Sequence, residues 1–394
     1  MASRAATDLL NLEDQFTAEE RAVRDRVADF VDRRVRPNIA QWYEDAVLPT
    51  ELLGEMAELG LFGMHLKGYG CAGRSATEYG LAMQEMEAGD SGLRTIISVQ
   101  GSLAMSAIYK NGSEEQKQHW LPKMASGEVI GCFGLTEPTA GSDPSSMSTT
   151  AHREGEEWVL NGKKRWIGLA AIADIAIIWA KSPAEDGSGE KVRGFIVPTD
   201  APGFTASVIG GKLSMRASQQ CDIDLDNVRL SAEALLPENP GLRGPFACLS
   251  EARYGIAWGA MGAARDSIET ILDYAGERLQ FGKPLAGYQL TQKKLADMTV
   301  ELNKGQLLAL HLGRLKDAGQ LEPHMISVGK LNNCRTAIDI CREARAVLGG
   351  NGITGDYSPL RHANNLESVR TYEGTDEVHT LILGQKLTGL PAFR

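Results

Sequence analysis

The chain has 394 residues, enough for two or three domains with substantial cores. Hydrophobic residues make up 43% and charged residues 23%, ordinary values for a globular protein, and no apolar run is long enough to span a bilayer. The net charge of -10, 41 Lys+Arg against 51 Asp+Glu, argues against a general binder of phosphate backbones but leaves room for a local basic site. The six cysteines contain no C-x-x-C pair and are scattered through apolar stretches, so they read as reduced core residues with no metal site. Met1 to Asp8 has no long apolar run, so no secretory signal is expected and the expected location is the cytoplasm.

The first third reads as helix. Thr17-Ala18-Glu19-Glu20 is a capping box, Val23, Val27, Phe30 and Val31 follow on one face, and Pro37 marks an expected end. Further helical patterns cover about 50–62, 75–88 and 93–110, and Ser113 opens another. From about 131 to 240 the pattern is mostly β. Trp158 to Leu160, Asn161-Gly162 and Lys163 to Ile167 predict a hairpin with a type I′ turn. Helical periodicity returns over about 248–275, 286–317, 323–348 and 376–388. Helices, then strands, then helices is not the alternation of a doubly wound sheet. The expected domains are 1–130, 131–245 and 246–394.

Gly68-Tyr69-Gly70-Cys71-Ala72-Gly73 matches G-x-G-x-x-G, with Glu87 and Asp90 near the distance of a ribose-binding acid. A dinucleotide site needs a strand before those glycines. Here a helical segment precedes them, so they read as a loop.

Four segments carry possible chemistry. Glu373, in Thr371-Tyr372-Glu373-Gly374-Thr375, stands just before a helix for which Thr375 is a plausible N-cap. Gly374 would let a ligand approach the backbone, although a glutamate at such a place is commonly a solvated residue. Gly131 to Pro138, followed by Gly141-Ser142-Asp143-Pro144, is a strand entering a small-residue loop that could face a planar heterocycle or a phosphate. Trp166-Ile167-Gly168 offers an indole that could cover a flat cofactor or simply fill the core. Arg278 to Leu285 and Leu348-Gly349-Gly350 interrupt or end helices.

In this order, these pieces resemble the acyl-CoA dehydrogenase family over nearly the whole chain. Within it, Gly131 to Pro138, Ala252 to Gly259 and Tyr372 to Thr375 are most similar to the glutaryl-CoA dehydrogenases. The resemblance implies an α+β fold: an N-terminal all-α domain, a middle β-barrel-like domain and a C-terminal four-helix bundle. It implies FAD as cofactor and Glu373 as the catalytic base. By the same resemblance the flavin would meet Phe133, Leu135, Thr136, Ser142, Trp166, Ile167, Gly168 and Thr375. Its phosphates and adenosine would meet Arg278, Phe281, Gln289, Leu348, Gly349 and Gly350, partly across a subunit interface. Ser142, Phe246, Arg253 and Gly374 would hold the acyl-CoA.

Arg94, with Glu87, Thr95 and Tyr372, matches the position that binds the distal carboxylate of glutaryl-CoA. A guanidinium suits a carboxylate by its fork geometry, although a salt-bridge role is the plainer reading of an arginine on a helix. The family also implies a homotetramer, an electron-transfer flavoprotein as partner, and conversion of glutaryl-CoA to crotonyl-CoA and CO₂. Two departures stand out. Gly168 replaces the family's threonine, which resembles short-chain acyl-CoA oxidases that use O₂. Thr95 stands where the glutaryl enzymes have serine. An alternative of another class is a non-catalytic, nucleic-acid-binding flavoprotein, against which the charge counts.

Overall fold

The computed structural model describes residues 4–184 and 189–393. Helices come first: α1 (Ala18–Phe30), α2 (Ile39–Asp45), α3 (Leu53–Glu58), α4 (Ala76–Gly89), α5 (Ser91–Ile97), α6 (Ser106–Asn111) and α7 (Glu114–Ala125). The Thr17–Glu20 capping box forms, each residue's side chain accepting from the other's backbone N–H. Pro37 lies just past the end of the helical run that the box opens, as expected. A π-helical turn, Val31–Val35, follows α1, and helix resumes at Ile39. Pro37 sits in the break, where its missing N–H costs no helical hydrogen bond. The stretch read as one helix over 93–110 is α5, a π-helical segment at Ser98–Met105, and α6.

Seven strands form a curled sheet: β1 (Gly131–Gly134), β2 (Thr150–Glu154), β3 (Glu157–Gly168), β4 (Ile175–Pro183), β5 (Glu190–Pro198), β6 (Phe204–Val208) and β7 (Gln220–Leu230). β4 pairs with β5 along one edge; its other edge takes β1 at the start and β2 at the end, both parallel to it. From β2 the sheet continues antiparallel through β3 and β7 to β6. Ile175 to Ala180 of β4 are all buried, as an apolar, β-branched run in a covered strand should be.

The expected Asn161-Gly162 hairpin turn is absent, because β3 runs straight through those residues. The tight turn lies earlier, at Gly155-Glu156, between the paired Glu154 and Glu157, and Gly155 has φ +64°. Gly162 instead marks a bulge against β7, and a Cβ there would overlap Thr149. The dipeptide is glycine-dependent for close packing rather than for chain reversal.

Helix then returns: α8 (Arg243–Glu277), a two-stranded hairpin of β8 (Leu279–Gln280) and β9 (Lys283–Pro284), α9 (Gln289–Asp317), α10 (Pro323–Val347), α11 (Ser358–Val369) and α12 (Asp376–Thr388). One core joins the N-terminal helices, the sheet and the start of α8. A second lies within the C-terminal helices, between α8, α9, α10 and α11. α4 is buried over its full length and packs on α8. The approach is close because α8 presents Gly259 and Gly262. A Cβ at Gly259 would overlap the Glu87 carboxylate, and one at Gly262 would overlap the Gln84 carbonyl. Helical ends flanking a curled sheet are the expected α+β architecture. Among the described residues, no helix is long and apolar enough to cross a membrane.

Candidate active site

Glu373 lies in the link between α11 and α12. Thr375 caps α12, its hydroxyl accepting from Val378 N at 3.3 Å. Glu373 itself has φ +55°, a left-handed conformation that costs a non-glycine residue about 1–2 kcal/mol. Three hydrogen bonds hold it there. Arg253 Nε on α8 donates to Glu373 O at 2.6 Å, and Lys330 Nζ on α10 donates to Tyr372 O at 2.8 Å and to Gly374 O at 2.6 Å. Among the described residues, the Oε2 atom of Glu373 is buried with no hydrogen-bond partner. Burial pushes the Glu373 pKa up, while Arg94, Lys330 and Arg253 restrain the rise. A carboxylate that is poorly solvated, unpartnered and fixed in place is suited to taking a proton.

Arg94 of α5 is fully buried. Its Nε bonds Glu87 Oε2 at 2.8 Å, its Nη1 bonds Ser98 Oγ at 2.8 Å, and its Nη2 bonds the Tyr372 hydroxyl. The Tyr372 hydroxyl also meets Thr95. Burial works against the Arg94 charge, but Tyr372, Glu87 and Glu373 keep it protonated. α5 is anchored by Asp90, which accepts from Gly92 N at 2.7 Å, from Arg361 Nε at 3.1 Å and from Asn365 Nδ2 at 2.8 Å on α11. The structure therefore brings Glu87, Arg94, Thr95, Tyr372, Glu373 and Arg253 together from four separate stretches of chain.

Glu87 and Asp90 are already engaged, Glu87 by Arg94 and Asp90 by Gly92, Arg361 and Asn365. Residues 68–73 form a turn-rich loop with no strand before it, as expected. The N-terminus of α4 beyond it is already occupied: Ala76 N and Thr77 N donate to the Asp317 carboxylate at 2.6 and 3.2 Å.

The ends of β1 and β3 meet, and β3 ends against the helical run that follows Arg94. Arg165 N donates to Thr136 O at 2.9 Å, and Lys164 Nζ reaches Leu135 O at 3.2 Å. Phe133, Leu135 and Ile167 are buried, whereas the Trp166 ring is 52% exposed and turned out by a φ of +64°. A Cβ at Gly168 would meet only Val99, four residues beyond Thr95 on the same helical run. Ser142 is exposed on the loop after β1, and Phe246 is exposed at the start of α8.

The remaining expected cofactor residues lie elsewhere. Arg278, Phe281 and Gln289 are exposed at and beyond the far end of α8, and Phe281 is 97% exposed at its hairpin tip. Leu348 is buried there, and Gly349 and Gly350 have open space around them. Tyr274 Oη joins the two segments, bonding Leu348 O at 3.4 Å. Arg253 and Arg278 are 25 residues apart on α8, about 38 Å at the helical rise. One chain therefore offers two separate partial surfaces: a flat, exposed indole at the end of β3, and an open glycine turn near an arginine. These suit a ring system and a phosphate-bearing tail, so the residues fit a flavin dinucleotide.

Three contributors escaped the sequence reading. Glu137 accepts from Ser148 N, Ser148 Oγ, Thr149 N and Lys164 Nζ at 2.6 to 3.0 Å, closing the loop that carries Thr136 and Ser142. Ser98 braces Arg94. Lys330 braces the Glu373 loop, and its place on the buried face of α10 was the available signal.

Comparison with known proteins identifies the family. The acyl-CoA dehydrogenase N-terminal, middle and C-terminal domain models match residues 17–128, 132–228 and 239–388. Human mitochondrial short-chain specific acyl-CoA dehydrogenase is 35% identical, covering 91% of this chain and 87% of its own. The glutaryl-CoA dehydrogenase of Mycobacterium smegmatis in complex with FADH2 superposes with a TM-score of 0.96 at 57% identity, over 100% of both chains. A chain in the structure of the electron transferring flavoprotein of Acidaminococcus fermentans matches with a TM-score of 0.90 at 30% identity, over 95% of this chain and 98% of that one. The chain belongs to the acyl-CoA dehydrogenase family, as an FAD-dependent enzyme.

Proposed function

We propose that this acyl-CoA dehydrogenase oxidises glutaryl-CoA between Cα and Cβ, with loss of CO₂ to give crotonyl-CoA. The observation that carries the reading is Arg94: a fully buried, permanently charged guanidinium beside Tyr372, within electrostatic reach of Glu373. A simple fatty acyl chain has no use for such a charge, whereas a distal carboxylate does. The relative from Mycobacterium smegmatis, at 57% identity, supports the same substrate.

In this reading Glu373 takes the α proton as the β C–H bond breaks. Bound FAD supplies the two-electron oxidant that accepts the β hydride. Burial keeps the base poorly hydrated and strengthens it. Arg94 anchors the far end of the acyl chain, so Cα is presented to Glu373 at a fixed distance. Trp166, Thr136 and Gly168 would hold the flavin ring, and Ser142, Phe246, Arg253 and Gly374 would hold the thioester. The second cofactor surface, Arg278, Phe281, Gln289 and Leu348 to Gly350, serves the FAD of a neighbouring subunit. That division favours a homotetramer, and an electron-transfer flavoprotein as acceptor accords with the Acidaminococcus neighbour.

The test is anaerobic mixing with glutaryl-CoA and butyryl-CoA, following flavin absorbance and products. Removing Arg94 alone would strand Glu87, so the variant is the neutral pair Arg94→Gln with Glu87→Gln. Wild type should bleach rapidly with glutaryl-CoA and release crotonyl-CoA. The double variant should lose on the order of 10²-fold in kcat/KM for glutaryl-CoA relative to butyryl-CoA. Rapid bleaching of wild type by butyryl-CoA with none by glutaryl-CoA would overturn the assignment. Stoichiometric H₂O₂ during aerobic turnover would move the acceptor to O₂, for which the space at Gly168 is the candidate reason.

A further inference from the structure

We propose that Lys330 is the positioning residue of the base: its ammonium fastens the chain on both sides of Glu373 and thereby fixes where the carboxylate points. The inference rests on the reading of Glu373 as the base.

Lys330 lies on the face of α10 that also buries Ile326, Ser327, Asn333, Cys334 and Ala337, and it is 1% exposed. An ammonium there has lost its water and must find partners. Among the described residues its hydrogen bonds go to main-chain carbonyls, Tyr372 O at 2.8 Å and Gly374 O at 2.6 Å. These are the residues on either side of Glu373. The carbonyl between them, that of Glu373, takes Arg253 Nε at 2.6 Å. Three successive carbonyls therefore point at two cations carried by α10 and α8.

Aiming them so requires the backbone handedness seen, φ +55° at Glu373 and +101° at Gly374. A Cβ at Gly374 would lie 3.0 Å from His379 Nε2 and 3.2 Å from Arg253 Nη2, so the loop already rests on those side chains. The base is thus clamped rather than merely placed. With Lys330 removed, two carbonyls lose their donor and Glu373 can relax toward an ordinary conformation.

Lys330 also acts through charge. The charged groups facing Glu373 are Arg94 from α5, Lys330 from α10 and Arg253 from α8. Lys330 itself faces Cys334, Glu373, Arg253 and Asp376, and burial brings its pKa down to about 8, so it is cationic at neutral pH. Loss of its charge removes an attraction that favours ionised Glu373. The pKa of the base then rises, and activity requires a higher pH.

Two variants separate these effects. Lys330→Met removes donors and charge; Lys330→Gln keeps an N–H donor without charge. Flavin content and Tm are measured first, then anaerobic flavin reduction by glutaryl-CoA as a function of pH. Lys330→Met should be slower by on the order of 10²-fold at saturating substrate, with KM little changed. Its acid limb should move to higher pH. Lys330→Gln should recover much of the rate yet keep the displaced limb, which a purely structural role would not produce. If Lys330→Met does not fold, Lys330→Gln decides alone. A folded, flavin-bound Lys330→Gln with wild-type rate and wild-type pH profile overturns the inference. Glu373→Gln, run in parallel, tells the two ideas apart. If it is inert while the Lys330 variants match wild type, only the clamp is wrong. If it reduces normally, the assignment of the base is wrong and the clamp goes with it.

Discussion

Arg94 and Phe281 were both expected near a ligand, yet the first is wholly buried and the second is 97% exposed. Around Arg94 the single chain supplies several neighbours: Glu87 for its charge, Glu87, Ser98 and Tyr372 for three of its donors, and Gly259 for the room Glu87 needs. Around Phe281 it supplies almost nothing, since Leu279, Gln280, Gly282 and Lys283 are exposed too. The first region is assembled and held in place by folding. The second presents Leu279, Phe281 and Leu290 to water, an apolar face to which the proposed function assigns a cofactor or another chain. A protein can build the chemical end of a site alone and leave the cofactor's far end to assembly.

Breaking the first region should have the largest effect. Glu373→Gln should bind FAD and keep its fold while flavin reduction falls by on the order of 10³-fold, as expected when a general base is lost. The wild-type reduction rate should rise with pH through an acid limb above the ordinary carboxylate value of 4.5, because the burial-raised pKa leaves the base protonated below it. Unchanged reduction in the variant, or a limb below that value, would remove Glu373 from the role.

Glu137→Gln strikes the loop rather than the base. It strands Lys164 and weakens four hydrogen bonds, and should cost about 3 kcal/mol by denaturant unfolding at neutral pH. Burial opposes the charge on Glu137, but Lys164 and the Ser148 and Thr149 donors bring its pKa from 4.5 down to about 2. The folded pKa is the lower one. Its stabilisation is therefore complete above pH 4.5 and is lost as pH falls toward 2, and the variant should show a flatter loss over that window. An unchanged acid transition would show that the pair contributes little.

The exposed region should respond in a different measurement. Phe281→Ser should shift the stability of the subunit by no more than about 0.5 kcal/mol, as exposed substitutions do. It should nonetheless weaken subunit association in sedimentation and hasten loss of FAD on dilution. Wild-type association and flavin retention would sink the proposal that the hairpin completes a neighbouring site.

Much of this was legible in the chain. The Thr17 and Ser113 caps, the buried β-branched run of β4 and the Thr375 cap are local features, set by hydroxyls, branching and spacing within a few residues. Glu373 and Arg94 were singled out through resemblance, because their motifs are contiguous, and the fold brings both to Tyr372. Asn161-Gly162 misled for a physical reason: its glycine meets Thr149 across the sheet, and no rule of adjacent residues contains that contact. The π-helical segment that carries Ser98 left no mark in the periodicity.

By itself the sequence determined the order of helices, strands and helices, the caps and the family motifs, because those depend on neighbours along the chain. Only the tertiary structure decided that Lys330 grips the carbonyls on either side of Glu373, that Glu137 closes the loop after β1, and that Gly259 makes room for Glu87. Each of these joins residues distant in sequence. A buried charge must find its partner in space, and the fold settles which one it finds.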